Sequence, residues 1–203
     1  LVGVRGNIEK HIIADKKINV IGDPAIVFNL LENKYPKIKE VDRFIKNNDE
    51  AILINWGTSF NNIIGYNEEK VQRELKIVIR ELLNNGYKVV VYPIWKDDIA
   101  ACRSLISEID SPNLLLIDKV YDAYGLASII DKCKFSINFK LHANIISMAM
   151  KKPFISLAYG LKCYDFAQSV DSKDLILFTD EVNGDKLLEK IEYVEDHYSH
   201  IQK

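Results

Sequence analysis

The sequence predicts an α/β domain built on a parallel sheet with helices on both faces. Two observations carry this. Past residue 50, short apolar runs alternate with longer segments of helical period, which is the βαβ pattern rather than the strict alternation of a half-exposed sheet. The composition, 48% apolar and 28% charged over 203 residues, is that of a soluble globular chain able to bury a core.

Six apolar runs are expected to be strands: Ala51 to Trp56, Lys88 to Tyr92, Leu114 to Ile117, Phe135 to Phe139, Phe154 to Ala158 and Leu175 to Phe178. Between the first two, Val71, Leu75, Val78 and Leu82 recur at i, i+4, i+7 and i+11, a helical stripe that Gly86 is placed to stop. Similar helices are expected over Asp97 to Ile109, Ala123 to Cys133, Leu141 to Met150 and Lys162 to Val170. The segment Gly184 to Ile201, with Leu187, Ile191, Val194 and Tyr198 on one stripe, reads as a closing amphipathic helix.

Residues 1–33 read differently. A strand around Leu1 to Arg5, a helix from about Ile8 to Ala14 and a strand Asn19 to Ile21 precede the turn Gly22-Asp23-Pro24, so this stretch resembles the last βα unit of a preceding domain. Residues 34–50, polar and lysine-rich, read as a linker, and 51–203 as the main domain. Leu1 is not a start methionine, and the chain is expected to be a piece of something longer.

Net charge is −2 with no basic block, so nucleic-acid binding is not indicated. The longest apolar runs fall far short of the roughly 18 residues that a membrane-spanning helix needs. Cys102, Cys133 and Cys163 are scattered without metal-ligand spacing, which points to reduced thiols in a cytoplasmic setting and to no metal site.

In an open parallel sheet, ligands sit at the carboxyl ends of the strands, beside helix N-termini. The exits here are Gly57-Thr58-Ser59, Trp95-Lys96-Asp97-Asp98, Lys140-Leu141-His142 and Tyr159-Gly160-Leu161-Lys162. None is a Walker A loop or a G-x-G-x-x-G fingerprint, and no G-x-S-x-G elbow occurs. Lys140, His142 and Lys162 suit a small anion, His142 also being able to deliver a proton near neutral pH. Each has a plain alternative: a structural histidine, and solvated lysines. Asp97 and Asp98 read as helix caps, and His11, His197 and His200 as exposed residues without a role. Arg5, just before a helix, either binds an anion or pairs with a local carboxylate.

Taken together, three segments resemble the polysaccharide pyruvyl transferase family. Val2-Gly-Val-Arg5-Gly6 with Val20-Ile-Gly22-Asp23-Pro24-Ala25 is similar to its V-R-G and G-D-P-A segments. Asp131 to Ala143, followed by Ser147-Met-Ala149 and Pro153, resembles its strand, R-L-H-A, helix and proline, and Ser156 to Lys162 with Phe166 its Y-x-x-K segment. The resemblance implies one half of a GT-B-like architecture of two Rossmann-like domains. It implies transfer of pyruvate from phosphoenolpyruvate to a sugar or lipid-linked saccharide of a cell-surface polysaccharide, forming a pyruvate ketal, with no separate cofactor and no metal. Carried onto this chain, His142 would be the catalytic acid, Arg5 and Lys140 the anion clamp, and Lys162 an assisting cation. Lysine stands at 140 where the family usually has arginine, which loses the bidentate grip of guanidinium. Location is expected to be cytoplasmic, with the inner membrane face as an extension.

Two other readings compete. One is the nucleotide-sugar-binding domain of a GT-B glycosyltransferase, with Asp98 and the Gly57 loop as ligand contacts. The other is a non-catalytic sugar-binding or assembly module. An incomplete chain is expected to be inactive alone, and either to self-associate through residues 1–33 and the closing helix or to fold the N-terminal unit back on its own sheet.

Overall fold

A computed structural model of the chain describes residues 3–13, 18–30, 35–46 and 49–201. In chain order the elements are β1 (Gly3–Val4), α1 (Asn7–Ile13), β2 (Asn19–Val20), a 3-10 segment Pro24–Leu30, α2 (Lys39–Phe44), β3 (Ala51–Asn55), α3 (Glu68–Asn84), β4 (Lys88–Tyr92), α4 (Asp98–Ile106) and β5 (Leu114–Leu116). There follow α5 (Ala123–Asp131), β6 (Phe135–Asn138), α6 (Leu141–Ala149), β7 (Phe154–Ala158), α7 (Leu161–Ser169), a 3-10 turn Lys173–Leu175, β8 (Ile176–Phe178), α8 (Gly184–Asp196) and α9 (Tyr198–Ile201).

All six strands expected from the apolar runs form one parallel sheet in the order β5-β4-β3-β6-β7-β8. Alternate residues of each strand feed opposite cores, as the two-residue period of a strand requires. Ile52 and Ile54 pack with Val71, Leu75, Cys102 and Leu187 on the face covered by α3, α4 and α8. Ala51 and Leu53 pack with Val41, Leu126 and Ile129 on the face covered by α2 and α5. Further along that face, α6 and α7 cover Phe154, Ala158 and Ile176. Helix α3 starts where the Asn67 side chain accepts from the Lys70 N–H at 2.9 Å, and ends at Gly86, whose φ of 87° is open mainly to glycine.

Three expectations need correction. The stretch 34–50 is not a bare linker: it carries α2, because Ile38, Val41 and Ile45 recur at i, i+3 and i+7 and insert into the core beside Leu53 and Val90. Its lysines disguise that stripe. The closing helix breaks at His197 into α8 and α9, and Leu187, Ile191 and Val194 of its stripe are buried against α3 and the sheet, while Tyr198 is half-buried. Finally, the N-terminal unit does not join the main sheet. β1 and β2 pair in parallel as a separate two-stranded ribbon, while α1 rests on α7 and the segment Pro24–Leu30 on α6. Leu1, Val2 and Ala14, at the ends of the expected strand and helix, lie outside the described residues.

Candidate active site

The order of the sheet reverses between β3 and β6, which opens a crevice at their carboxyl ends. Asn55 closes its floor, donating from Nδ2 to the Tyr92 carbonyl at 3.1 Å and accepting the Lys140 N–H at 2.8 Å. Lys140 is 7% exposed and points inward: its ammonium donates to the Thr58 carbonyl and lies 3.2 Å from Asp98 Oδ1. Asp98, itself buried, accepts the backbone N–H groups of Thr58 (3.0 Å), Ile94 (3.3 Å) and Trp95 (2.9 Å). Its carboxylate approaches so closely that a Cβ on Gly57 would lie 2.1 Å from it. Glu68 takes the Ser59 N–H at 2.6 Å and the Thr58 hydroxyl at 2.9 Å. Two of the chain's own carboxylates therefore occupy the amides with which such an exit would otherwise greet an anion, and Lys140 is the counter-ion of one of them.

Arg5 and Lys162, 157 positions apart, line one small cavity of about 20 Å³ with Gly6, Leu141, Asp165 and Phe166. That volume holds about one water molecule. Arg5 forms ion pairs with Glu9 at 2.9 Å and Asp23 at 3.5 Å. The hydrogen bond to Glu9 raises the guanidinium pKa, and the Arg5 backbone N–H with its side chain lowers that of Glu9. Asp165 holds the N-terminal unit here, accepting the Ile8 N–H at 3.0 Å. Lys162 is exposed, its ammonium 4.7 Å above the Tyr159 ring, and Tyr159 continues into a row of rings through Phe139 and Trp56.

His142 is exposed and faces elsewhere. It lines a groove of about 720 Å³ with Trp95, Tyr121 and Ile146, its ring edge-on to Trp95 with centroids 6.1 Å apart. Leu141 and His142, consecutive at the start of α6, thus face two different cavities. The structure brings Arg5 and Lys162 together, sets His142 one residue beyond their cavity, and turns Lys140 into the crevice floor. Asp97 precedes α4 without a side-chain cap bond, and His11, His197 and His200 are exposed on helical or terminal segments. The thiols of Cys102, Cys133 and Cys163 are buried and unpaired. Among the described residues there is no His, Cys, Asp and Glu group with metal-holding geometry, and no helix long and apolar enough to cross a membrane.

The family model for polysaccharide pyruvyl transferases matches residues 1–160. The chain belongs to that family. Among curated proteins no sequence matches it significantly. Solved structures share its fold at low identity. A UDP-GlcNAc 2-epimerase from Methanocaldococcus jannaschii, in complex with UDP-GlcNAc and UDP, is 14% identical with a TM-score of 0.63, over 92% of this chain and 50% of that one. The E. coli ADP-heptose lps heptosyltransferase II is 14% identical with a TM-score of 0.61, over 78% of this chain and 52% of that one. A family 9 glycosyl transferase from Veillonella parvula is 14% identical with a TM-score of 0.55, over 77% and 50%. This pyruvyl transferase family chain therefore has a Rossmann-like half of a GT-B-like fold, and it spans about half the length of the structures it matches.

Within this family member, the roles of Asp98, Asp165 and Glu68 are not legible in the sequence. Only Asp98 carried a signal, as one of two adjacent acids at a strand exit. Asp165 and Glu68 sit in ordinary helical text, and what marks them is that glycines or backbone amides from distant segments meet them.

Proposed function

We propose that the intact protein transfers pyruvate from phosphoenolpyruvate to two hydroxyls of a saccharide, and that this chain supplies the anion-binding cations and the acid. The observation that carries the reading is the convergence of Arg5 and Lys162 on one cavity beside the start of α6, within a chain matched by the pyruvyl transferase family. Phosphoenolpyruvate carries a carboxylate and a phosphate, and it would replace Glu9 and Asp23 as partners of Arg5. The cavity of about 20 Å³ is smaller than the ligand, so the donor would bind at its rim, where Arg5 and Lys162 are open to solvent.

Chemistry follows from the enol phosphate. Held by its anions at the Arg5–Lys162 cavity, the donor would have to extend past Leu141 toward the groove that His142 lines; there His142 would give a proton to the methylene carbon, leaving an electrophilic C2 that a sugar hydroxyl attacks. Loss of phosphate lets the second hydroxyl close the ketal. One hydroxyl proton restores the imidazolium and the other leaves with inorganic phosphate, so the step balances without a metal or redox partner. Cations that stabilise the departing phosphate act where charge develops. Lys140 acts from behind: with Asp98 it holds the loop after β3 and the start of α4, which frame the crevice.

Isothermal titration of the full-length protein tests this. Phosphoenolpyruvate should bind the native protein and bind Arg5→Ala and Lys162→Ala at least about tenfold more weakly. Binding of UDP-sugars without phosphoenolpyruvate binding would replace the reading by glycosyl transfer, and binding of neither would leave a non-catalytic module.

A further inference from the structure

The groove that His142 faces has a composition of its own. Its walls are apolar, formed by Ile94, Val120, Leu126 and Ile146 around two aromatic rings. Trp95 leaves 55% of its surface open to solvent on the segment after β4, an uncommon state for the largest apolar side chain. Its plane is steadied by His142, which meets it at 87°. Across the groove the Tyr121 ring is fixed as well, because its hydroxyl donates to Glu40 at 2.7 Å and Lys119 lies 4.8 Å over its face. At the rim stand Lys96 and Asp97, both exposed and, among the described residues, without a side-chain ion pair or hydrogen bond.

A pre-set aromatic plate flanked by one free cation and one free carboxylate matches a ligand with an apolar face and a hydroxylated edge. A pyranose ring has that character: its axial C–H bonds form one face, and its hydroxyls both donate to a carboxylate and accept from an ammonium. A nucleobase suits the plate less well, because the diphosphate that accompanies it would meet Asp97 here and amides already taken, that of Trp95 by Asp98 at this exit and those of Thr58 and Ser59 by Asp98 and Glu68 at the neighbouring one. We infer that the Trp95 groove is the acceptor subsite, in which one pyranose ring lies on the indole with its edge toward Asp97 and Lys96 and its neighbouring hydroxyls toward His142. The inference takes its ligand class from the pyruvyl-transfer reading, but its test needs no donor and no turnover.

Saturation-transfer difference NMR on the full-length protein, with methyl glycosides of glucose, galactose, N-acetylglucosamine and N-acetylmannosamine as probes, reads ring contact directly. At least one glycoside should show saturation strongest on the protons of one ring face, at affinities in the millimolar range expected of a single sugar. Trp95→Ala should weaken that binding by about tenfold or more and Trp95→Phe by less, while far-ultraviolet circular dichroism stays unchanged because the side chain is largely outside the core. Asp97→Asn should reduce it without moving phosphoenolpyruvate binding. No saturation from any glycoside up to about 50 mM, equal binding by Trp95→Ala, or displacement by uridine nucleotides at lower concentration would each overturn the assignment. If glycosides bind and phosphoenolpyruvate does not, the groove stands and the donor reading falls.

Discussion

The ammonium of Lys140 lies 3.2 Å from Asp98 Oδ1, and both side chains are buried at the point where the order of the sheet reverses. Asp98 also ties the exits of β3 and β4 together through three backbone N–H groups. Removing one member of such a pair leaves a buried charge without compensation. Lys140→Met is expected to cost about 3–5 kcal/mol of stability, and Asp98→Asn added to it should recover part of that by removing the orphaned anion. Urea unfolding of the single and double variants measures both; a Lys140→Met midpoint close to that of the native protein would show that the pair contributes nothing.

The backbone at Gly6 passes so close to Asp165 that a Cβ there would lie 2.0 Å from Oδ2. Gly6→Ala should therefore push the carboxylate off the Ile8 N–H and loosen the N-terminal unit, at a cost of about 1–3 kcal/mol. Because that unit is not part of the main sheet, the sheet should stay folded. Hydrogen exchange should accelerate in residues 3–13 and 18–30 and remain unchanged in β3, β4, β6 and β7, while phosphoenolpyruvate binding weakens with the displacement of Arg5. Uniform acceleration through the sheet would contradict the separation.

His142 contributes little to the core, being exposed on the first turn of α6. His142→Ala should leave the unfolding free energy within about 0.5 kcal/mol of the native value while reducing phosphate release in the presence of acceptor by about 10²- to 10⁴-fold. Near-native turnover in this variant removes the acid role.

Burial pushes the thiols of Cys102 and Cys133 up to about 12 and that of Cys163 to about 11, against 9.0 for the free group. In the unfolded chain the thiols ionise first, so the stability they contribute is fully present below about pH 9 and is lost as pH rises through the folded values. The loss is bounded by about 1.4 kcal/mol per thiol for each pH unit. Thermal unfolding at about pH 7.5, 9 and 10.5 should show the decline, and Cys133→Ala should make it shallower. A disulfide-exchange reagent should titrate none of the three in the folded protein and all three in urea.

Several features are legible in the sequence alone. Near-continuous apolar runs such as Val89 to Tyr92 and Phe135 to Ile137 are forced into a doubly covered sheet, because only burial on both faces accommodates them. The spacing of Val71, Leu75, Val78 and Leu82 determines which face of α3 meets that sheet, and the order of short motifs around Arg5, Lys140 and Lys162 was enough to indicate the family. These are one-dimensional signals, set by periodicity and local chemistry.

Side-chain direction at the strand ends was not among them. Lys140 and His142 are two positions apart in sequence, yet one enters the crevice floor and the other looks out over Trp95. What separates them is the strand order, which sets β3 beside β6 and so presents Asp98 and the Thr58 carbonyl to the lysine. Likewise Arg5 and Lys162 come to line one cavity where Asp165 accepts the Ile8 N–H across 157 positions and the Gly6 backbone passes close to its carboxylate. Periodicity along a chain states which face of an element is buried; which charges then face each other depends on contacts between elements distant in sequence, and those exist only once the sheet has closed its order.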